Sequence, residues 1–564
     1  MSVLRPSPGA AVGQRGRVTV AADWNAAIVR WRLVAVPVGL AIAYVVLLVC
    51  RYRQIISWQN ADSDVVSSFQ VAQAILHGHA GQVQFSTQGS WVELGWQLLT
   101  GGLPDYRLLW ELLAPALGVV TVALTGWSVL RVGGRVAAAL AVAVLVAASP
   151  TVLMSLISAP WHNTSTLGAV LLGAYLVWMS SERRGSRAMV AGVVVMGIVT
   201  GVFLACDELL AVIGLLPFLT AALVIGLGSG DRRELLSALA VIAITIIVRT
   251  GVMIAMGALG FRVTLGPLRL EPGASAVHAK WLGQGLLRLG NGLSVAPHQW
   301  WLTPLVIAAG VVTVAGLGAM VWSTRRYLAD RRGSRAARTR AVHVAFWVSA
   351  AAWVSVAYII TNAAYWPSDR YFVVIMFSVA ATVPLLSSGT RHARRMVAGG
   401  VAVFASASLV ALATSAINHD SVIIHGADVT EMSRIETLVH HDHLRVGYAG
   451  YWNAASLSWS SDGQLHVYPL LGNDVHAAPM YLERVAAWYR PRPHTPTYLI
   501  LSPNDFLPDR LPSSLPRPAH TVHLGNITVD IWPYDIAAYF SQSPIPIPGI
   551  TTPSLQQARR TQTG

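Results

Sequence analysis

Two carboxylates spaced two apart, Asp62 and Asp64, form the pair in this chain best suited to taking a proton. They lie in Asn60-Ala61-Asp62-Ser63-Asp64, just beyond the first long apolar run, Leu33 to Cys50. On an extended or turn backbone both side chains lean the same way, and a carboxylate partly desolvated at a bilayer edge is the stronger base. Val65, Phe69, Ala72 and Leu76 then recur at helical spacing, which predicts an amphipathic helix resting on the membrane surface. Asp64 stands at or just before its start, where the helix dipole favours a negative charge. The competing reading of the pair is a helix cap beside a solvated loop charge, because Asp is a preferred N-cap residue.

The other candidates lie at the ends of apolar runs, where an ionisable side chain is costly. Glu93 lies in Trp91-Val92-Glu93-Leu94-Gly95-Trp96, an acid between interfacial tryptophans that needs a partner or a task. His162 and Asn163 follow Pro160-Trp161 and could touch a substrate or cap the next helix. Asp207 and Glu208 are adjacent carboxylates between two apolar runs: a capped turn, or a repelling pair that a metal or arginine would relieve. Asp369-Arg370-Tyr371 follows Tyr365-Trp366-Pro367. It is either a local ion pair or a guanidinium able to hold a phosphate bidentately, with Tyr371 supporting the headgroup.

The elements that position these residues are membrane spans. Of 564 residues, 54% are hydrophobic and 12% charged, against the roughly 25% charged of a soluble domain. The net charge of +14 is almost all arginine, with Lys280 the only lysine. These charges punctuate the gaps between apolar runs instead of clustering on a polar domain, which excludes nucleic-acid binding. Residues 1–32 read as a cytoplasmic disordered tail. Apolar runs then fall at 33–50, 108–130, 136–157, 164–180, 188–205, 208–228, 234–258, 302–324, 341–361, 371–388 and 396–417, eleven in all. Arg131 with Arg135, Arg183-Arg184, Arg232-Arg233, the run Arg325 to Arg340 and Arg391 to Arg395 occupy alternate gaps. By the positive-inside rule the N-terminus is cytoplasmic, and the long loops 51–107 and 259–301 lie outside together with everything after 417.

Residues 418–540 change character. Leu444 to Tyr448, His466 to Tyr468, Thr497 to Leu501 and Ile527 to Ile531 read as strands, with helices near 430–441 and 478–490, a small extracytoplasmic α/β domain. Residues 541–564 are rich in Pro, Ser and Gln and read as disordered. Cys50 and Cys206 are the only cysteines, either a disulfide pair or small buried hydrophobes. No Walker loop, HExxH or CxxC occurs.

Taken together, this pattern resembles the GT-C superfamily of membrane glycosyltransferases, which use polyprenyl-phosphate-linked sugars. The resemblance rests on an acidic motif in the first outer loop and a following helix that ends in Leu76-His77-Gly78. It also rests on Arg370-Tyr371 at the outer start of a late span and on the tail segment Gly447 to Trp452. The Asp64-to-Leu76 spacing resembles that of protein mannosyltransferase-like members. The resemblance implies Asp64 as the catalytic aspartate, with Asp62 its neighbour and a possible ligand for a divalent cation. It implies Arg370 and Tyr371 at the lipid phosphate, and an envelope glycan, lipid or protein as acceptor. Where several members carry a second acidic motif, this chain has Trp161-His162-Asn163, which argues against an oligosaccharyltransferase-type metal site unless Asp207 or Glu208 replaces it. The alternative is a non-catalytic scaffold or a transporter of envelope components, a degenerate GT-C relative. Arg249, the one clear charge deep in a span, is its only sequence support.

Overall fold

The computed structural model describes residues 31–32, 34–51, 63–80, 83–86, 91–103, 106–149, 152, 160–181, 186–229, 232–259, 262–264, 269–291, 297–361, 369–415, 429–461, 463–471, 478–479, 484–492, 494–502, 511–512 and 514–541. Both expected terminal tails therefore lie outside the described residues, apart from Trp31 and Arg32 and a single residue, Ser541.

In chain order, α1 (Val34–Cys50) leads to α2 (Ser63–Leu76), β1 (Val83–Ser86) and α3 (Trp91–Thr100). The bundle continues through α4 (Tyr106–Val146), α5 (Pro160–Ser181), α6 (Ser186–Cys206), α7 (Leu216–Ser229) and α8 (Arg232–Ala258). After β2 (Arg262–Thr264) come α9 (Ser275–Leu289), α10 (Thr303–Ala329), α11 (Arg335–Ile360), α12 (Val373–Thr382) and α13 (Arg391–Ser415).

Among the described residues, seven helices, not the expected eleven, are long and apolar enough to cross a membrane. Two of the runs share α4, a 41-residue helix broken at Gly134, whose φ of 81° only glycine adopts without strain. Three others form the shorter apolar helices Val34–Cys50, Ala211–Val224 and Val373–Ser388. Close packing holds the bundle together where side chains are small. Gly197 and Gly201, one turn apart on α6, face Ile244 and Val248 of α8, where an added Cβ would lie 2.6 Å from either side chain. Thr200 and Thr245 hydrogen-bond between them at 2.6 Å.

The C-terminal domain comprises α14 (Val429–His441), β3 (Val446–Gly450), α15 (Tyr451–Ser460), β4 (His466–Leu471), β5 (Ala478–Pro479), β6 (Arg484–Val485), β7 (Thr497–Leu501), β8 (His520–Leu524), β9 (Ile527–Trp532) and α16 (Ala537–Ser541). Its six-stranded sheet runs β5-β4-β3-β7-β9-β8, with β4, β3 and β7 parallel and the remaining pairings antiparallel. Alternation along the strands buries both faces. Ala449, Val467, Tyr498 and Ile500 pack on Ile435 and Val439 of α14 and on Leu457 of α15. Tyr448, Tyr468, Leu470, Leu499 and Leu501 face Val71, Ala72 and Ala74 of α2. The expected helix near 478–490 is instead β5, β6 and a short 3-10 turn, Ala486–Tyr489.

This second layer corrects the reading of α2. The helix does not rest on a membrane surface with one apolar face. Val66, Ser68, Phe69, Gln70, Val71, Ala72 and Ala74 are all buried, whereas Leu76 is exposed. Phe69 meets Trp459 of α15 edge-on at 4.9 Å. Gly78 (φ 87°) ends the helix, with Gly78 N–H donating to Ile75 O and His79 N–H to Ala74 O, each at 2.9 Å. A three-stranded sheet ties the ends together: β1 pairs with β2 in parallel and with β6 antiparallel. The first long loop, the second long loop and the C-terminal domain therefore meet at one end of the bundle.

Candidate active site

Asp64 is the second residue of α2, within its first turn, where unpaired backbone N–H groups favour an anion. Its side chain, and Asp62 altogether, lie outside the described residues. The same holds for the side chains of His162 and Asn163, whose backbone forms the first turn of α5, and for that of Arg370.

The Arg370 turn itself is placed. Asp369–Phe372 forms a 3-10 turn that packs on α9 and α11. Phe372 meets Tyr358 at 4.6 Å, and half-buried Tyr371 packs against the bundle core. Glu271 N–H donates to Ile360 O at 2.8 Å, and His278 Nδ1 lies 3.1 Å from Ile359 O. The second long loop is thus a folded cover, with α9 seated on the end of α11.

Glu93 is 2% exposed in the first turn of α3, which packs against α5 and α6. Trp96 Nε1 donates to Leu109 O at 3.0 Å, which anchors α3 to the start of α4. Cys206 faces the backbone of Trp91 and Val92 and lies within electrostatic reach of Glu93 and Asp207. The structure therefore brings Glu93 and Asp207 to one corner of the bundle. Cys206 is buried and Cys50 exposed, and both are free thiols, so the disulfide alternative does not hold.

Asp207 and Glu208 separate into two roles. Ser165 Oγ donates to Asp207 Oδ2 at 2.6 Å, and Leu209 N–H donates to Asp207 Oδ1 at 2.9 Å. Asp207 thereby joins α5 to the turn that opens the π-helical segment Ala211–Leu215. Glu208 meets Arg249 at 2.5 Å. Arg249 thus has a counter-charge. Ser165 was missed from sequence, although the run Thr164-Ser165-Thr166 just after Asn163 was its signal. Among the described residues no group of three His, Cys, Asp or Glu side chains converges on a metal position.

Two cavities flank these elements. One, of about 720 Å³, is wholly apolar in lining and lies between α1 and both arms of α4, with Val38, Ile42, Val46, Trp127, Val142 and Val146 in its walls. The other, of about 800 Å³, opens between α2 and the C-terminal sheet and is walled by polar and aromatic groups, among them Gln73, His77, His466 and Arg492.

No protein-family model matches the sequence, and no curated protein matches it either. Solved structures do. The chain is similar to ArnT from Cupriavidus metallidurans bound to undecaprenyl phosphate, at 14% identity and a TM-score of 0.51, over 87% of this chain and 98% of that one. The apo form of ArnT gives 13% identity and a TM-score of 0.49 over the same shares. The archaeal oligosaccharyltransferase AglB from Archaeoglobus fulgidus, in complex with an inhibitory peptide and a dolichol-phosphate, gives 12% and 0.47 over 78% and 64%. The first of these likenesses shows the fold alone: a polytopic helical membrane protein with a C-terminal domain set outside its helical bundle.

Proposed function

We propose that the chain is a membrane glycosyltransferase that moves a sugar, hexosyl or pentosyl, from a polyprenyl-phosphate donor to an envelope acceptor. One observation carries the reading. Asp64 stands in the first turn of a helix at the bundle end where both long loops and the C-terminal domain meet, within a fold shared with a protein that binds undecaprenyl phosphate.

In this reading Asp64 takes the proton of an acceptor hydroxyl as that oxygen attacks the anomeric carbon. The bond from that carbon to the phosphate oxygen breaks, and the polyprenyl phosphate leaves with the electron pair, held by Arg370 with Tyr371 beside it. Direct displacement inverts the anomeric centre. Asp62 steadies the proton transfer, while Glu93, His162 and Asn163 border the acceptor side. Asp207 and Glu208 frame the site through Ser165 and Arg249.

The arginine-bearing gaps support a cytoplasmic N-terminus and a domain at 418–540 outside, following a transmembrane unit at 33–417. The test is the lipid that the purified full chain carries. Extraction and mass spectrometry are expected to recover polyprenyl phosphate after incubation with an excess of it. A chain that retains none overturns the reading in favour of a scaffold.

A further inference from the structure

The 800 Å³ cavity between α2 and the C-terminal sheet has no part in the chemistry above, yet its walls are built for a ligand. Tyr468 and Trp488 stack at 5.3 Å and 15°, and the ring of His466 continues the stack at 6.5 Å and 5° from Tyr468. Arg492 lies over Tyr468, 5.1 Å from its centroid, with Nη2 donating to the Tyr468 hydroxyl at 3.1 Å. Nη1 and the backbone N–H of Arg492 both reach Asp535 Oδ2, at 3.3 and 2.9 Å. Asp535 is almost wholly buried behind it, so the guanidinium is fixed in place while 30% of the side chain stays exposed.

Tyr468 and Trp488 are buried against one another, so what the cavity offers a ligand is its polar rim: the open side of the fixed Arg492 guanidinium with Gln73, His77 and His466 beside it, donors and acceptors suited to the hydroxyls around a sugar ring. The charges point further. Among the described lining residues Arg492 is a cation and none is a carboxylate, the nearest acid being Asp535, buried behind Arg492 and away from the cavity's open side. Arginine is the side chain best suited to a carboxylate or phosphate group. The cavity also begins close to Asp64 along the same helix. Phe69, in its wall, is five residues on, about 7–8 Å at 1.5 Å per residue.

We propose that this cavity is a glycan subsite that holds an acidic saccharide. That the saccharide is the acceptor, held beyond the unit that receives the transferred sugar, rests on the glycosyl-transfer reading; that it binds does not.

The test titrates the full chain in nanodiscs with tetragalacturonate and with maltotetraose, followed by calorimetry. The acidic oligomer is expected to bind at least about tenfold tighter. Gln73→Trp, which sets an indole in the cavity from a half-buried helix position, is expected to abolish binding, and His77→Ala to weaken it several-fold. Absence of binding, equal affinity for the two oligomers, or full affinity in Gln73→Trp overturns the proposal. The two readings fail separately. Saccharide binding by a chain that carries no polyprenyl lipid removes the transferase and leaves the cavity. Transfer by a chain that binds neither oligomer does the reverse.

Discussion

Gln70 Nε2 donates to the carbonyl of Val467 at 2.6 Å, joining residues 397 apart in sequence. The same nitrogen donates to Ser458 Oγ at 2.6 Å, so both of its protons are used in a nearly dry contact. This amide fastens the helix that carries Asp64 to the sheet of the C-terminal domain. Gln70→Leu takes from the buried Val467 carbonyl its amide donor, at about 1–3 kcal/mol, while Ser458 Oγ keeps the Val467 N–H at 3.1 Å. The expected outcome is a lower unfolding temperature for the full chain, with faster amide exchange across α2 and β4. Exchange unchanged in both segments would contradict the role given to Gln70.

Gly447 tests the packing of the sheet. A Cβ there would overlap the ring of Tyr498, which is fully buried among Ile435, Leu457 and Ile500 and has nowhere to move. Gly447→Ala is expected to destabilise the domain by about 1–3 kcal/mol, as overpacked cores do. Thermal unfolding of the purified chain reads it.

His466 makes stability depend on pH. Desolvation at the cavity wall, then the positive charge of Arg492, with His77 and Arg445 adding to it, hold its pKa below the ordinary value. The unfolded chain therefore binds the proton more readily than the native one, and stability rises with pH across that interval. The native state is unpenalised above about pH 6.5 and loses stability as pH falls from there through the depressed folded-state value. His466→Gln is expected to flatten this part of the unfolding-temperature profile. A profile of the same slope in the variant would contradict the assignment.

For Arg370 the measurement is donor affinity. Hydrogen bonds to a charged group contribute about 1.5–3 kcal/mol, so Arg370→Ala is expected to weaken polyprenyl-phosphate binding by roughly 10- to 150-fold. Arg370→Lys is expected to restore only part of it, because the charge returns without the planar fork. An unchanged affinity in Arg370→Ala removes its phosphate role.

What the sequence revealed was what local pattern controls. The strands at Thr497–Leu501 and Ile527–Trp532 could be read from short runs of β-branched, aromatic and aliphatic residues, and the helix Val429–His441 from its helical spacing, because each is set by its own residues. The segment at 478–490 could not. Arg484–Val485 is a strand only because Val83 and Gln84, some four hundred residues earlier, lie beside it. The helix Tyr451–Ser460 was hidden by composition: Asn453, Ser456 and Ser458 are polar but buried, each held inside the domain. For the same reason α2 looked half-exposed, since Ser68 and Gln70 read as a solvent face until the C-terminal sheet covers them. The count of long apolar helices among the described residues fell below the number of apolar runs in part because hydropathy registers apolar length without seeing that one helix, kinked at Gly134, carries two runs. At the candidate site, Asp64 at the helix start was legible from capping chemistry. The bonds from Ser165 to Asp207 and from Glu208 to Arg249 connect distant segments and have no local signature.

The central claim is that the carboxylate at position 64 takes the acceptor's proton. Asp64→Asn keeps the size and the helix-capping ability of the side chain and removes the base, so the variant is expected to insert and unfold like the parent. In nanodiscs supplied with polyprenyl-phosphate sugar and acceptor, its single-turnover transfer rate is expected to fall by about 10²- to 10⁴-fold while donor binding persists. Transfer at the parental rate by a folded, donor-binding Asp64→Asn chain would contradict the account.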